Sequence, residues 1–395
     1  MKNVAVIAEY NPFHKGHQGH IEKIKREFDA ENVLVILSGD FVQRGEPALI
    51  DKMRRTQMAL EGGADLVVEL PPAFATASAE VFARGAVALA NAAGCIDGLA
   101  FGAECDDLST LERLADLSED MKDQEDVKDG LKQGLSYPAA LAAAIRRQDP
   151  EAADLLRQPN NVLAVEYIKA LRRSGSGILP AAMKREGGLH RDGDLPAEGP
   201  ASAGAIRRAL QNGAAPEALR AYLPDSTISL LEYSIFPDDL SSALSAELLR
   251  LSGQGPKAFL PFADSAPELA ERLYDLSPYL MNFSELTERL RTKAFTEARV
   301  RRFLIHILLG IRKEAQSVPP AALRILGLKE ESSLPGRLRK SAALPLITKV
   351  ADADPALLEG VASAHERYAQ LVYFATGRRL PDFYRQSPVI LRKKS

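Results

Sequence analysis

The first hundred residues alternate between short, continuously apolar runs and longer stretches in which charged residues recur at helical spacing. Val4–Ala8, Asn32–Leu37, Asp65–Leu70 and Gly98–Phe101 are strand-like, and Pro71-Pro72 stops the third of them. Between them, His17–Phe28, Lys52–Glu61 and Glu80–Ala93 carry the helical pattern, the second closed by Gly62-Gly63. Uninterrupted apolar strands need cover on both faces, and intervening helices of about 12 residues imply parallel βαβ units with right-handed crossovers. The pattern predicts a doubly wound, Rossmann-like α/β domain, whose ligands sit beyond the carboxyl ends of the strands.

Downstream, an acidic segment predicts helices with a solvated face. A helix at Asn161–Arg173, a strand at Ile178–Lys184 and a helix at Ala203–Gln211 follow. From about residue 215 strand signals thin out. Helices are expected at 228–234, 240–252, 265–276, 284–314, 319–326 and 356–376, which gives a catalytic α/β domain over 1–215 and an all-α domain over 216–395.

With 46% hydrophobic and 26% charged residues in 395, wholesale disorder is excluded. No apolar run reaches the roughly 18 residues a membrane span needs. Val4–Ala8 is followed by a polar, His-rich segment and reads as a strand, not a signal peptide, so a cytoplasmic location is expected. Cys95 and Cys105 alone make no disulfide framework and no four-thiolate zinc site. The net charge of −3 is unevenly spread. Residues 104–129 hold eleven acidic side chains, whereas 285–313 hold eight Lys or Arg against Glu285, Glu288 and Glu297. A polyanion would therefore be met by local patches.

Chemistry concentrates after the first strand, in Glu9-Tyr10-Asn11-Pro12-Phe13-His14-Lys15-Gly16-His17. Pro12 ends the strand and Gly16 permits close backbone approach. A helix beginning near Gly16 would direct free N–H groups and its positive dipole end into the cleft, an arrangement that binds phosphate. His14 and His17 would add donors for charge developing on a transferring phosphoryl group. Three of the chain's six histidines fall within seven residues here, which weighs against an incidental surface role. A zinc site from His14, His17 and His20 is an open alternative.

His-x-Gly-His after a first strand resembles the signature of the nucleotidyltransferase superfamily. The longer strings AEYNPFHKGHQGHI, LSGDFVQRGEPALIDKMRRTQMALEGGADLVVELP, FGAE and QPNNVLAVEYIKAL resemble the tRNA(Met) cytidine acetate ligase family along nearly the full chain. The resemblance implies a nucleotidyltransferase fold and a two-step, ATP-dependent reaction. Acetate attacks the α-phosphate of ATP, and the acetyl group of the resulting acetyl-adenylate passes to N4 of the wobble cytidine of elongator tRNA(Met). Mg²⁺ would accompany ATP.

The same resemblance implies that His14, His17 and Arg185 are catalytic. It also implies an ATP site of Ala8, Glu9, Tyr10, Asn11, Pro12, Phe13, His14, Lys15, Gly16, His17, His20, Ile21, Gly102, Asn160, Asn161, Arg185 and Ser202. Three departures from the family pattern are visible. Asp40 stands where Asn is usual, Ala201 opens the Ser202–Arg207 motif in place of Ile, and Leu163-Ala164-Val165 replaces Leu-Gly-Ile. An added carboxylate at 40 would repel a triphosphate unless it faces a metal ion or Lys52.

Arg44, in the Gln43–Pro47 loop, and Lys52, with Arg54 and Arg55 at a helix start that normally prefers acids, are expected to meet anionic substrate or tRNA. Arg299, Arg301 and Arg302, on a basic helical stretch with Phe295, Phe303 and His306, are expected to contact the tRNA backbone, with Arg392-Lys393-Lys394 as a possible addition at the terminus. Two other functions remain open: a small-molecule adenylyltransferase, and a non-catalytic RNA-binding protein that retains the fold.

Overall fold

The computed structural model describes residues 1–185, 195–197, 199–358 and 360–393. Ten strands occur among them. β1 (Asn3–Ala8), β2 (Asn32–Ser38), β5 (Leu66–Leu70), β6 (Gly98–Ala103) and β7 (Leu179–Lys184) form a parallel sheet in the order β5-β2-β1-β6-β7. β3 (Phe41–Val42) and β4 (Glu46–Pro47) make a small hairpin after β2. Helix α1 (Lys15–Glu27) links β1 to β2, and α2 (Lys52–Glu61) precedes β5. The chain leaves β1 for β2 on one side and later returns to β6 on the other. The crevice at the carboxyl ends of β1 and β6 is thus the topological switch point where such sheets bind ligands.

Alternation along the strands shows that both faces are covered. Val33, Val35 and Leu37 of β2 enter one apolar cluster, and Leu34 and Ile36 enter the other. The first cluster runs on without a break into Phe259, Phe303 and Tyr368 of the C-terminal half.

The half expected to be all-α carries three strands, two of which extend the N-terminal sheet, and three expectations for its elements need correction. The helix expected at 319–326 is strand β8 (Leu323–Lys329), antiparallel to β5. β10 (Val389–Leu391) adds to it in parallel, and β9 (Leu346–Ile347) pairs with its start. Leu323, Arg324, Ile325 and Leu326 are all buried, and a short apolar run buried on both faces lacks the periodicity that separates strand from helix. The single helix expected at 284–314 is two helices, Phe283–Leu290 and Glu297–Leu309, with extended backbone at Arg291 and Thr296 capping the second. The helix expected at 356–376 starts at Val361, because Gly360 in left-handed conformation breaks it from the turn before.

Candidate active site

The turn after β1 is held from several sides. Tyr10 adopts φ 46°, a conformation L-residues avoid unless their surroundings enforce it. Here the Asn11 side chain accepts the Leu49 N–H at 2.7 Å, and the Asn11 carbonyl accepts from Arg207 at 2.8 Å. Arg55, fully buried, donates to the carbonyls of Glu9 (2.7 Å), Ser38 (3.0 Å), Ile50 (2.9 Å) and Gly39. One guanidinium thus gathers the chain ends of β1 and β2.

His14 is the N-cap of α1. Its Nδ1 accepts the Gly16 N–H at 3.1 Å, and its own N–H donates to Nδ1 of His17 at 3.3 Å. Both rings spend Nδ1 as an acceptor, so in the neutral state each carries its proton on Nε2. The protein environment favours that state. Burial, then the Arg185 charge, push His14 down to about 3, and the same causes with His14 as neighbour hold His17 well below the ordinary histidine range. His20 falls to about 4 for the same leading reason, and its buried Nε2 has no hydrogen-bond partner among the described residues.

The free first-turn amides expected from the sequence are not there. The Lys15 N–H donates to the Tyr222 carbonyl at 2.9 Å, Gly16 to His14 Nδ1, and His17 to the His14 carbonyl at 2.8 Å. What this helix start offers an anion is the pair of imidazole Nε2–H groups.

Across the crevice, β6 and β7 bring up the remaining residues. The Arg185 stem crosses Gly102, where a Cβ would lie 2.9 Å from Arg185 Cγ. Its guanidinium donates to Asn160 Oδ1 at 2.6 Å. Glu104 accepts from Asn160 Nδ2 at 2.5 Å and from the Asn161 N–H at 2.9 Å, so it caps the helix Pro159–Arg173. Buried Asn161 uses its side chain internally: Oδ1 accepts the Glu104 and Cys105 N–H groups, and Nδ2 donates to Leu155 and Gln158. Asn161 therefore shapes the loop, and Asn160 presents the polar group beside Arg185. Ser202 caps the helix Ala203–Gln211 through the Ala205 N–H at 3.1 Å. That helix start lies close to α1, since Pro200 is 3.7 Å from the Cβ position of Gly16.

The expected substrate cations separate into two groups. Lys52, 1% exposed, pairs with Glu69 at 2.6 Å and Asp40 at 3.3 Å, and so presents no charge to solvent. Asp40 thus faces Lys52, and it also meets His365 Nδ1 at 2.7 Å. Arg302 is buried on Asp264 at 2.8 and 3.2 Å. Arg54 is answered by Asp51 and Glu232. Arg301 pairs with Glu297 (2.6 Å) and Glu46 (3.3 Å), and Arg299 lies over the Phe295 ring. Arg44 is exposed at the tip of the β3–β4 hairpin. The hairpin packs directly on the basic helix: a Cβ on Gly45, at φ +75°, would lie 2.3 Å from the Arg302 nitrogen. Glu46 bridges Arg207 (3.0 Å) and Arg301.

Sequence reasoning missed the parts of Glu104, Arg324 and His365. Arg324 holds Glu69 at 2.8 Å across 255 positions, and His365 holds Asp40 across 325, so no local signal points to either. Of the terminal basic run, Lys394 lies outside the described residues.

Among the described residues, no group of three or more His, Cys, Asp or Glu side chains is placed to hold a metal ion, and no helix is long and apolar enough to cross a membrane. The family described as HIGH Nucleotidyl Transferase matches residues 1–379. The tRNA(Met) cytidine acetate ligase of Thermoanaerobacter sp. (strain X514) is 36% identical over 359 residues, 88% of each chain. That of Lysinibacillus sphaericus (strain C3-41) is 33% identical over 405, covering 98% of this chain and 100% of its own. The crystal structure of Thermotoga maritima TmcAL bound with alpha-thio ATP superposes with a TM-score of 0.87 at 29% identity, over 100% of both chains. The chain belongs to the HIGH nucleotidyl transferases and, among them, to the tRNA(Met) cytidine acetate ligase family.

Proposed function

We propose that the protein is an ATP-dependent ligase that activates acetate as acetyl-adenylate and passes the acetyl group to N4 of the wobble cytidine of elongator tRNA(Met). The observation that carries the site assignment is the convergence of two neutral imidazoles, each with its proton on Nε2, and the Arg185 guanidinium at the β1/β6 switch point. Acetate oxygen attacks the α-phosphate, and the bond to pyrophosphate breaks. His14 and His17 donate to the oxygens that gain charge, and Arg185 offsets the charge of the leaving pyrophosphate. The cytidine amine then attacks the acetyl carbonyl, AMP departs and the amine loses a proton. The chain needs no covalent intermediate for this; its task is alignment and exclusion of water.

In this reading the turn after β1 and the start of α1 line the nucleotide site with Gly102, Asn160, Arg185 and Ser202, while Phe13 and Ile21, fully buried against Gly62 and Gly63, support that turn from the core. Asn161 acts through Glu104 and the loop backbone. Mg²⁺ would arrive on the triphosphate, whose oxygens supply much of its shell, as is usual for this ion. Residues 1–215 carry the chemistry, and residues 216–395 contribute to holding tRNA, with the exposed Arg44 at the hairpin tip as a further contact.

The test is acetate-dependent ATP–pyrophosphate exchange, followed by mass analysis of cytidine in tRNA incubated with the protein, ATP and acetate. Exchange with acetate and acetylated cytidine are expected. Pyrophosphate release with a small acceptor and no acetate would replace this reading with a small-molecule adenylyltransferase, and no release would leave an RNA-binding protein.

A further inference from the structure

The outer face of the last helix, Val361–Thr376, and the segment after it carry groups that neither the fold nor the nucleotide site uses. Phe374 is 82% exposed and Tyr373 43%, their rings 5.7 Å apart, and the Arg379 guanidinium lies 5.5 Å from the Tyr373 ring. Arg367, Gln370 and Phe374 are exposed at spacings of three and four, which puts them on one helical face. Between 361 and 393 stand Arg367, Arg378, Arg379, Arg385, Arg392 and Lys393, against only Glu366 and Asp382. The helix that carries the patch is firmly seated against the sheet's carboxyl side. Tyr368 donates to the Ala48 carbonyl at 2.8 Å, and Arg378 shares Glu232 with Arg54, in the first turn of α2, at the carboxyl edge of the sheet.

We infer that this face, and not the helix Glu297–Leu309, is the principal docking surface for the RNA substrate. An unstacked base lies on the Phe374 and Tyr373 rings while Arg379 and Arg385 meet phosphates. The inference rests on the reading above that the acceptor is a tRNA. Exposed aromatic rings interleaved with arginines suit an unpaired base and its backbone, since base–aromatic stacking tolerates any base and cations fix the phosphates. The arginines at 301 and 302 already have carboxylate partners. Arg378 is likewise paired with Glu232, but two of this patch are less committed: Arg379 is exposed over Tyr373, and Arg385, with its side chain 87% exposed, makes a 3.6 Å contact with Asp382.

The experiment measures tRNA affinity by filter binding over a salt series, with acetate-dependent exchange in the absence of tRNA as the control for an intact site. Phe374→Ala is expected to weaken binding about tenfold with little change in salt slope. Phe374→Tyr should bind like wild type. Arg379→Glu with Arg385→Glu should weaken binding and flatten the log–log salt slope by about 1.5, the contribution of two phosphate contacts. Exchange should be unchanged in all three. Affinities of the alanine and double-glutamate variants within twofold of wild type would overturn the inference. So would a wild-type dimer that Phe374→Ala converts to a monomer with tRNA affinity intact. Wild-type protein that binds no tRNA would instead sink the substrate reading itself.

Discussion

The imidazoles of His14 and His17 stack with centroids 3.6 Å apart and planes inclined by 25°, and the backbone N–H of His14 fixes the tautomer of His17. The two rings therefore act as one unit, and removing either disturbs the other. His17→Ala should reduce acetate-dependent exchange by about 10²–10³, the usual cost of a lost transition-state donor. Its tRNA affinity should stay within twofold of wild type. Equal loss of exchange and tRNA binding would contradict the assigned role.

Stability should depend on these histidines with a definite sign. His14 and His20 titrate in the folded chain at about 3 and about 4, below the roughly 6.5 of an unfolded histidine. As pH falls through 6.5 the unfolded chain takes up protons that the folded chain refuses. Stability present above 6.5 is therefore lost progressively toward 4. Each such group contributes a slope of up to about 1.4 kcal/mol per pH unit in that window. Chemical denaturation at pH 7, 6 and 5 should show the fall, and His20→Gln should make it shallower by up to one proton. A His20→Gln slope equal to wild type would show that His20 titrates normally.

Gly102 tests the far wall of the crevice. A side chain there meets the Arg185 stem, at 2.9 Å for Cβ alone, and an arginine is flexible enough to yield. Gly102→Val should consequently displace Arg185 from Asn160, raise the KM for ATP by about tenfold or more, and leave the unfolding midpoint nearly unchanged. An unaltered KM would separate Arg185 from the nucleotide.

How far the sequence reaches is clear from three contrasts. The parallel core was legible because β1 and β2 are apolar on both faces, a pattern with few competing solutions. His14 and His17 were legible because their chemistry is packed into one turn. β8 was not legible: its sequence LRILGLK has no strand-specific period, and its partner β5 lies more than 250 positions earlier. Nor could charge alone show which arginines face out. Arg302 looks as available as Arg379 in the sequence, yet Asp264, brought in by a separate loop, buries it. The same limit applies to Asn161, a polar residue in a recognisable string whose side chain is consumed by its own loop.

Lys52 provides the sharpest separation between a charge that meets substrate and one that holds the fold. Its ammonium is enclosed by Glu69 and Asp40, with the Phe383 ring 4.6 Å away, and Arg324 and His365 complete the cluster. Burial alone would raise the Asp40 carboxyl; Lys52 and then His365 reverse that and hold it well below the usual carboxylate range. Lys52→Met removes the central cation and leaves two carboxylates in an enclosed site, a change that costs about 3–5 kcal/mol when a buried pair loses one partner. Urea denaturation should show a loss of that order, while the fraction still folded at low temperature should bind tRNA with wild-type affinity and salt slope. A stable Lys52→Met protein with weakened, less salt-sensitive tRNA binding would return this residue to the substrate surface, because only a solvent-facing cation releases counterions when RNA docks.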